Sequence, residues 1–239
     1  MQAIILAGGK GTRLHPYTKS IPKPLLPIGE IPIIEIIIRQ LKEHGFKSCI
    51  LAVGHMHHLF QAFFEDGKKF GIKISYSIES SPLGTAGVLG NCLDELEDNF
   101  LIMNGDILTT LNFSELMLFH KNQKNDFSIS VHNRKVDIDY GVMEIGENDN
   151  LLRYIEKPEY DYKVSMGINV IRKESIKNLI LNTTYLDIPD LVKKMIFKKL
   201  KVFCYHEECD WLDIGRFDDY EKATSIFKKN KKKYLSNYI

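Results

Sequence analysis

The chain has 239 residues, of which 44% are hydrophobic and 26% are charged, so it can bury one substantial core. Its 32 Lys and Arg residues balance 31 Asp and Glu residues, and a formal charge of +1 excludes a global positive field that would recruit nucleic acid. The four cysteines lack C-x-x-C spacing and are Cys49, Cys92, Cys204 and Cys209. We therefore expect reduced thiols and a cytoplasmic protein, and the apolar strand that directly follows Met1 predicts neither a signal sequence nor a membrane span.

The predicted organisation is a single domain over residues 1–227, followed by a basic tail over residues 228–239. The tail is a run of lysines, which is typical of a solvated segment, and whether it has a role is left open. There is no internal repeat, and we expect no β-helix or regulatory module after the domain.

The first motif is a glycine-rich loop after a short apolar strand predicted at residues 3–7. Glycines let several backbone N–H groups point toward one ligand, which suits phosphate oxygens, and here they are Gly8, Gly9 and Gly11. Arg13 adds a planar guanidinium group and Lys23 a compact ammonium group for the same anion. The loop matches neither G-x-x-x-x-G-K-[ST] nor G-x-G-x-x-G, and its spacing excludes a nicotinamide-dependent oxidoreductase.

Helical and strand patterns alternate along the rest of the chain, which is typical of an α/β sheet. The predicted strands are Ser48–Val53, Ile72–Ile78, Phe100–Asn104, Asp126–Val131, Tyr140–Ile145 paired with Leu151–Pro158, Ser165–Asn169, and Val202–Cys204. The predicted helices begin after Pro32 and after His55, and then cover Val88–Leu96, Phe113–His120, Glu174–Asn182, Ile188–Lys199 and Phe217–Phe227.

Three histidines, His55, His57 and His58, crowd together before the second helix. A zinc site is one interpretation, but the absence of a nearby carboxylate or cysteine partner favours ordinary surface histidines.

The segment Glu79 to Leu89 reads E-S-S-P-L-G-T-A-G-V-L. Gly84 and Gly87 free the backbone, so a planar ligand can lie against them while Thr85 and main-chain amides read its edge. The alternative is a loop that only caps the following helix.

The strand Phe100–Asn104 ends in Gly105 and Asp106. A carboxylate at the carboxyl end of a central parallel strand lies where open α/β sheets bind ligands. We interpret Asp106 as a Mg²⁺ ligand, and the alternative is a turn or helix-capping aspartate.

The motif L-A-G-G-K-G-T-R-L followed by I-P-K-P resembles the opening of the sugar-1-phosphate nucleotidyltransferases, the nucleotide-sugar pyrophosphorylases. The segment P-L-G-T-A-G resembles the base-binding loop of the family's mannose-1-phosphate guanylyltransferase branch, which favours guanine. The resemblance spans about residues 1–225 and its motifs come in family order. It implies a GT-A-like nucleotidyltransferase fold: a Rossmann-like, mixed but mostly parallel central sheet flanked by helices, with a small antiparallel sugar-binding hairpin.

The resemblance also implies the sugar and metal residues. In the hairpin, Gly141 would offer its backbone to sugar hydroxyls, Glu156 would accept hydrogen bonds from them and Lys157 would hold the 1-phosphate, although the last two also suit a solvated strand end. The segment D-W-L-D-I-G resembles the family's W-x-D-I-G, in which Asp213 would give the metal its second carboxylate. As structure alone, Trp211 would be a core anchor and Asp213 a helix cap.

The chain departs from the family pattern at two positions. The family has an asparagine where this chain has Ser165, and commonly an aromatic residue where this chain has Asn169. These side chains would line the sugar pocket, so mannose, a heptose and an amino sugar all stay open.

The implied reaction joins a nucleoside triphosphate, with GTP favoured, to a sugar 1-phosphate and releases pyrophosphate. UTP, dTTP or CTP are alternatives, and the rival from another class is a non-catalytic subunit that senses nucleotide sugars. The oligomeric state, homo-oligomer or not, stays open.

The expected catalytic residues are Arg13, Lys23 and Asp106, with Mg²⁺ held by Asp106 and Asp213. The expected nucleotide-binding residues are Leu6, Ala7, Gly8, Gly9, Gly11, Thr12, Glu79, Pro82, Gly84, Thr85, Ala86, Gly87, Asn104 and Gly105, and the sugar-phosphate-binding residues are Gly141, Glu156, Lys157, Ser165 and Asn169.

Overall fold

A computed structural model describes residues 1–180 and 184–236. Its strands are β1 (Gln2–Leu6), β2 (Pro27–Ile28), β3 (Ile31–Pro32), β4 (Ser48–Val53), β5 (Lys73–Ile78), β6 (Asn99–Asn104), β7 (Ile107–Thr109), β8 (Phe127–Asp137), β9 (Val142–Ile145), β10 (Leu151–Ile155), β11 (Glu159–Arg172), β12 (Val202–His206) and β13 (Trp211–Asp213). Its helices are α1 (Ile33–Glu43), α2 (His57–Phe64), α3 (Gly84–Gly87), α4 (Leu89–Cys92), α5 (Phe113–Gln123), α6 (Lys173–Ile176), α7 (Ile188–Phe197), α8 (Phe217–Lys229) and α9 (Lys231–Tyr234).

The core of the fold is a seven-stranded sheet in the order β12-β8-β11-β6-β1-β4-β5. Strand β1 pairs in parallel with β4 and β6, and β4 pairs in parallel with β5. Among the sheet strands that the structure describes, β11 alone runs antiparallel to its neighbours β6 and β8. The predicted mostly parallel sheet and the separate antiparallel hairpin, β9 with β10, are confirmed.

Helices cover both faces of the sheet because its central strands are apolar on both sides. Ile5 of β1 packs in one buried cluster with Ile37 of α1 and Phe113 of α5. Its neighbour Ile4 points the opposite way and packs in a second cluster with Leu191 of α7. This alternation is the two-residue period of a strand buried on both faces.

Several predicted elements differ from the structure in extent; the strand predicted at Ser165–Asn169, for example, is the longer β11, Glu159–Arg172. The helix predicted at Val88–Leu96 is the short helix α4 followed by a 3₁₀ turn at Leu93–Glu95, and Gly90 within it is a poor helix former. Strand β8 runs six residues past the predicted Val131, to Asp137, and this extension lacks an apolar alternation but pairs with β11. The helix predicted at Glu174–Asn182 ends at Ile176 in the structure and a turn follows at residues 177–179, while the predicted end at Asn182 lies outside the described residues.

The predicted basic tail is a solvated segment only in part. Helix α8 continues through Lys229, and Tyr234 and Leu235 are buried in a third apolar cluster with Phe227. The side chain of Gln40 donates a hydrogen bond to the carbonyl of Tyr234. The described part of the tail thus packs on the domain, because apolar residues at its end outweigh the lysines before them; residues 237–239 lie outside the described residues.

Across residues 1–180 and 184–236, every helix is too short or too polar to cross a lipid bilayer.

Candidate active site

A cleft of about 850 Å³ lies at the carboxyl edge of the sheet. Strands β1, β4, β5 and β6 are mutually parallel, so the segments that follow them meet at one edge. The cleft is lined by Leu6, Ala7, Gly8, Gly9, Lys10, Gly11, Thr12, Arg13, Lys23, Pro24, Ala52, Gly54, His55, Glu79, Ser80, Ser81, Pro82, Gly84, Thr85, Asn104, Asp106 and Gly215. Most of the residues predicted to bind the nucleotide, from three separate segments of the chain, are in this set.

The glycine-rich loop has two positions with different demands. Gly11 has φ of +61°, and a methyl group there would lie 3.0 Å from Cβ of Lys23 and 3.1 Å from Cγ2 of Thr18. The Thr18 hydroxyl also donates to the Gly11 carbonyl at 2.8 Å. Gly11 therefore fixes the path of the loop. A methyl group on Gly9, in contrast, would meet no heavy atom within 4 Å, because Gly9 faces the open cleft.

Lys23 is almost fully buried and forms an ion pair with Asp106. Its Nζ donates to Oδ2 of Asp106 at 2.5 Å. A 3₁₀ turn with Pro24 at its second position carries Lys23, and Asp106 follows β6. Both residues line the cleft, so it holds a pre-formed charge pair at its floor.

Asp213 stands beside Asp106. Strand β13 pairs antiparallel with β7, which places Asp213 opposite Ile107, and the Ile214 N–H donates to the Asp106 carbonyl at 3.0 Å. Although the Asp213 side chain reaches solvent, partial burial and then the Asp106 carboxylate raise its pKa. The nearby cations Lys23 and Arg13 oppose this rise. Two acidic groups that repel each other at a cleft are suited to a divalent cation.

A smaller cavity of about 280 Å³ adjoins the cleft and shares Leu6, Thr85 and Asn104 with it. It is lined by Leu6, Thr85, Ile102, Met103, Asn104, Ile107, Ser165, Met166, Gly167, Asn169, Ile188, Pro189, Trp211 and Asp213. Strand β11 brings Ser165 and Asn169 to it through a register irregularity between these two residues. Asp106 thus lines the cleft and Asp213 the cavity, so the acidic pair lies where the two spaces meet.

Asn169 carries an unsatisfied polar atom in this cavity wall. Its side chain is 4% exposed, and its amide oxygen is buried without a hydrogen-bond partner in the described part of the chain. A buried amide oxygen without a partner is costly, so a ligand or water that donates to this amide would relieve it.

The turn at Gly84–Gly87 packs closely against another segment of the chain. Gly84 has φ of +77°, and a methyl group there would lie 2.6 Å from the Leu186 carbonyl oxygen. At Gly87, a methyl group would lie 2.6 Å from the carbonyl oxygen of Thr184. The absence of side chains on these glycines therefore admits the segment 184–187; Gly84 and Thr85 also line the cleft, and base binding by this turn stays a prediction.

The main-chain amides of this turn are also occupied. The N–H groups of Ala86 and Gly87 donate to the Leu186 carbonyl at 2.8 and 2.9 Å, and that of Thr85 donates to Asp187 at 2.9 Å. These three donors are therefore satisfied within the protein.

Glu79 lies at the start of the same turn and lines the cleft. Its Oε2 accepts the Leu83 N–H at 3.0 Å, and its Oε1 lies 3.4 Å from the position of a methyl group on Gly8. Burial raises the pKa of Glu79, and the Leu83 hydrogen bond opposes that rise. The carboxylate thus has one oxygen held by the chain and a second on the side of the glycine-rich loop.

Six of the predicted site residues line neither space. Ala86, Gly87 and Gly105 are buried behind the cleft wall. Gly141, Glu156 and Lys157 belong to the hairpin, where Glu156 accepts a hydrogen bond from Tyr154 at 2.9 Å and Lys157 is exposed with φ of +43°. Their sugar-phosphate role stays a prediction.

Several lining residues were missed from the sequence. Trp211 packs against the first apolar cluster, as its structural interpretation as a core anchor predicts, and it also lines the smaller cavity, where its indole N–H donates to the Met166 carbonyl at 3.0 Å. Ile188 and Pro189 open α7 and form another part of that wall. The position of Trp211, two residues before a candidate metal ligand, was a sequence signal that it lies near the site. Nothing in the local sequence indicates that Ile188 and Pro189 line the cavity.

The histidine group divides in the structure: His55 lines the cleft, and the rings of His57 and His58 lie 6.0 Å apart and nearly perpendicular. Within the described ranges, three or more His, Cys, Asp or Glu side chains do not converge on any point where a metal ion could be held. A metal at Asp106 and Asp213 would therefore need water or substrate oxygens as further ligands, which is how Mg²⁺ commonly binds.

The chain is similar to known proteins over nearly its whole length. It is 34% identical to the D-glycero-alpha-D-manno-heptose 1-phosphate guanylyltransferase of Campylobacter jejuni, over 92% of this chain and 97% of that protein. It is also 34% identical to the mannose-1-phosphate guanylyltransferase catalytic subunit beta of Dictyostelium discoideum, over 95% of this chain. The chain spans only 64% of the length of the latter.

The fold has solved counterparts. The structure of a Bacillus anthracis protein, assigned as a glucose-1-phosphate thymidylyltransferase and determined in complex with a sucrose, superposes with a TM-score of 0.75. That protein is 26% identical, and the match covers 95% of each chain. The family model described as "Nucleotidyl transferase" matches residues 2–230. The chain therefore belongs to the nucleotidyl transferase family.

Proposed function

We propose that this chain joins a nucleoside triphosphate, with GTP favoured, to a sugar 1-phosphate, giving a nucleoside-diphosphate sugar and pyrophosphate. The observation that carries the proposal is the meeting of two spaces at one charged group. The cleft behind the glycine-rich loop and the smaller cavity behind β11 share a wall, and Asp106 and Asp213 lie at their junction with Lys23.

The proposed step is a single displacement at phosphorus. An oxygen of the sugar 1-phosphate attacks the α-phosphorus, a new phosphorus–oxygen bond forms, and the bond from the α-phosphorus to the oxygen that bridges to the β-phosphate breaks. Pyrophosphate leaves with that bonding pair. Because the attacking oxygen is already ionised, the step needs no general base, and positioning with charge neutralisation supplies the catalysis.

The loop and its cations would hold the triphosphate. Gly9 opens space for phosphate oxygens, and the exposed guanidinium of Arg13 lines the cleft beside it, where it would neutralise the departing pyrophosphate. Lys23 would contact the phosphate that is substituted. Its ammonium donates to Asp106, which orients it toward the floor of the cleft.

The residues present fit a divalent cation. Partial burial and then the Asp106 carboxylate raise the pKa of Asp213, and a cation between the two acids would relieve their repulsion. We propose that Asp106 and Asp213 hold Mg²⁺, which when bound supplies a positive charge against the α-phosphate. Lys157 on the hairpin stays the proposed contact for the sugar 1-phosphate.

The base preference is proposed from Glu79. Guanine presents two adjacent N–H donors on one edge, which suit a carboxylate acceptor, whereas uracil and thymine present one N–H between two carbonyls. The oxygen of Glu79 that is not held by Leu83 is directed toward the loop side of the cleft. The two guanylyltransferase relatives agree with this choice.

The sugar is proposed only as a class. Asn169 and Ser165 replace the bulkier residues of the family pattern, and the unsatisfied amide of Asn169 invites a hydroxyl or amide donor. Mannose, a heptose and an amino sugar are retained. The cytoplasm, the location that the sequence predicts, is the proposed site of this reaction.

The test is a matrix of substrates with released pyrophosphate and product mass as readouts. GTP, UTP, dTTP, CTP and ATP are each paired with mannose, heptose, glucose and amino-sugar 1-phosphates, with Mg²⁺ present or chelated. We expect the highest kcat/KM with GTP and no turnover under chelation. Turnover with no pair, together with tight binding of a nucleotide sugar, would favour the sensing subunit instead.

Glu79→Gln separates base recognition from chemistry. The amide keeps one acceptor but loses the charge, so we expect the KM for GTP to rise about tenfold while kcat changes little. An unchanged preference for GTP in this variant would assign base recognition to other groups.

A further inference from the structure

The starts of two helices, α3 and α7, are capped by each other rather than by their own residues. Asp187 occupies the N-cap position of α7, yet its carboxylate makes no capping hydrogen bond to that helix. Its Oδ1 instead accepts the N–H of Thr85 at 2.9 Å and the hydroxyl of Thr85 at 3.1 Å. In return, the Thr85 hydroxyl oxygen accepts the N–H of Ile188, the first residue of α7, at 2.8 Å.

Because its carboxylate binds Thr85, Asp187 does not cap its own helix. An N-cap aspartate normally accepts an N–H from its own first turn, which stabilises that helix. Here the carboxylate oxygen instead accepts a hydrogen bond from Thr85, which lies 102 residues earlier in the sequence, in the turn beside the cleft. The hydroxyl of Tyr185 donates to the other oxygen of Asp187 at 2.7 Å, which orients the carboxylate. The hydrogen bonds from Tyr185 and from Thr85 lower the pKa of Asp187, so it stays charged.

The link reaches the walls of both the cleft and the smaller cavity. Thr85 lines both the cleft and the smaller cavity, whereas Ile188 lines only the smaller cavity. A displacement of the turn would therefore move a wall of the nucleotide cleft, and the same displacement would change the start of α7 in the wall of the sugar cavity.

We propose that Asp187 is a positioning residue that couples the two substrate spaces, by holding Thr85 and the start of α7 in one hydrogen-bonded unit. The proposal rests on the proposed function in that it takes the cleft for the nucleotide and the cavity for the sugar phosphate. It adds a residue that touches neither substrate and predicts that losing it weakens both.

The first test is kinetic. Asp187→Ala removes both acceptors, and Asp187→Asn keeps one carbonyl oxygen that the Thr85 N–H can still use. We expect the KM values for GTP and for the sugar 1-phosphate to rise together by about tenfold in Asp187→Ala, with a smaller rise in Asp187→Asn and a smaller change in kcat, because Lys23 and Asp106 are untouched. The matched control is Asp190→Asn, an exposed aspartate three residues further in α7 whose side chain pairs with Lys193.

The second test needs no substrate. Hydrogen exchange followed by peptide mass spectrometry reads the amides of residues 85–87 and of Ile188 in the ligand-free protein. We expect Asp187→Ala to exchange at least about tenfold faster at these amides and Asp190→Asn to match the wild type.

The outcomes distinguish the two proposals. If the wild type makes no nucleotide sugar from any pair, the proposed function fails, and the exchange experiment still decides whether Asp187 holds the turn. If the wild type is active and folded Asp187→Ala keeps both KM values, or if exchange at residues 85–87 is unchanged, the coupling role is overturned. A fall in melting temperature with unchanged KM values would make Asp187 merely structural.

Discussion

The Nζ atom of Lys23 lies 2.5 Å from Oδ2 of Asp106, and the pair joins the turn after the glycine-rich loop to the end of β6. Both side chains are largely shielded, at 7% and 23% exposure. A charge pair in such a place gives the ligand-free cleft a fixed arrangement, because each partner would be costly to bury alone.

Replacement of Lys23 by methionine should lower both stability and turnover. The aliphatic part is kept, but Asp106 then faces Asp213 without its counter-charge, so we expect a lower melting temperature. Turnover should fall at least about a hundredfold, which is the scale for losing one charged contact made in the transition state. Lys19→Met, on an exposed 3₁₀ turn nearby, is the control for both calorimetry and the pyrophosphate assay. A Lys23→Met enzyme with wild-type kcat would remove this ammonium from the mechanism.

The carboxylate pair makes a prediction about Mg²⁺ and stability. In the wild type, Mg²⁺ should raise the melting temperature, since a ligand at about a hundred times its Kd stabilises by about 2.7 kcal/mol. Asp213→Asn removes the repulsion with Asp106, so this variant should melt slightly higher without metal yet gain little from it. Its turnover should fall at least about a hundredfold. Thermal scans with Mg²⁺ or chelator decide, and an undiminished Mg²⁺ shift in Asp213→Asn would contradict the assignment.

Two glycines in the cleft should respond in opposite ways to alanine. Gly84→Ala adds a methyl group 2.6 Å from the Leu186 carbonyl at φ of +77°, so we expect a loss of more than about 1 kcal/mol in the free energy of unfolding. Gly9→Ala meets no atom within 4 Å, so stability should change by less than about 0.5 kcal/mol. Its methyl group occupies phosphate space, and the KM for GTP should rise. Urea unfolding and initial rates measure the two effects, and the reverse pattern would refute this division of roles.

The sequence predicted the sheet and the cleft because both depend on local patterns. Apolar runs such as Ser48–Val53 became strands at the predicted residues, and their parallel order brought Gly8, Glu79 and Asp106 to one edge. The resemblance supplied Asp213, which the β7–β13 pairing places beside Asp106.

The remaining parts depend on contacts between distant segments. Gly84 and Gly87 carry a signal for backbone freedom, but only the structure shows that the segment 184–187 fills the space beside them. Asp187 looks like an ordinary helix cap in the sequence, and its bond to Thr85 has no local trace. Similarly, the lysine run before Tyr234 predicts solvation, while the packing of that tyrosine on α8 residue Phe227 is a tertiary contact.

The buried side chain of His120, which lies outside the candidate active site, leads to a prediction about how the stability of the fold depends on pH. It is buried, its Nδ1 lies 2.9 Å from the Ser128 hydroxyl and its Nε2 lies 3.1 Å from Asn99 Oδ1. Burial, with a smaller contribution from Arg172, lowers its pKa from 6.5 to about 4. The folded state thus holds a neutral imidazole at pH values where the unfolded chain binds a proton.

The sign of the effect follows from that difference in bound protons. Between pH 6.5 and about 4 the unfolded state binds more protons at His120, so stability falls as the pH falls through this window. From pH 7 to pH 5 the loss should be on the order of 2 kcal/mol, at about 1.4 kcal/mol per pKa unit.

His120→Gln cannot titrate, so its urea-unfolding free energy should be lower at pH 7 but should change less between the two pH values. The control is His206→Gln on the exposed edge strand β12, which should keep the wild-type pH dependence. A pH dependence in His120→Gln as steep as that of the wild type would assign the acid sensitivity to other groups.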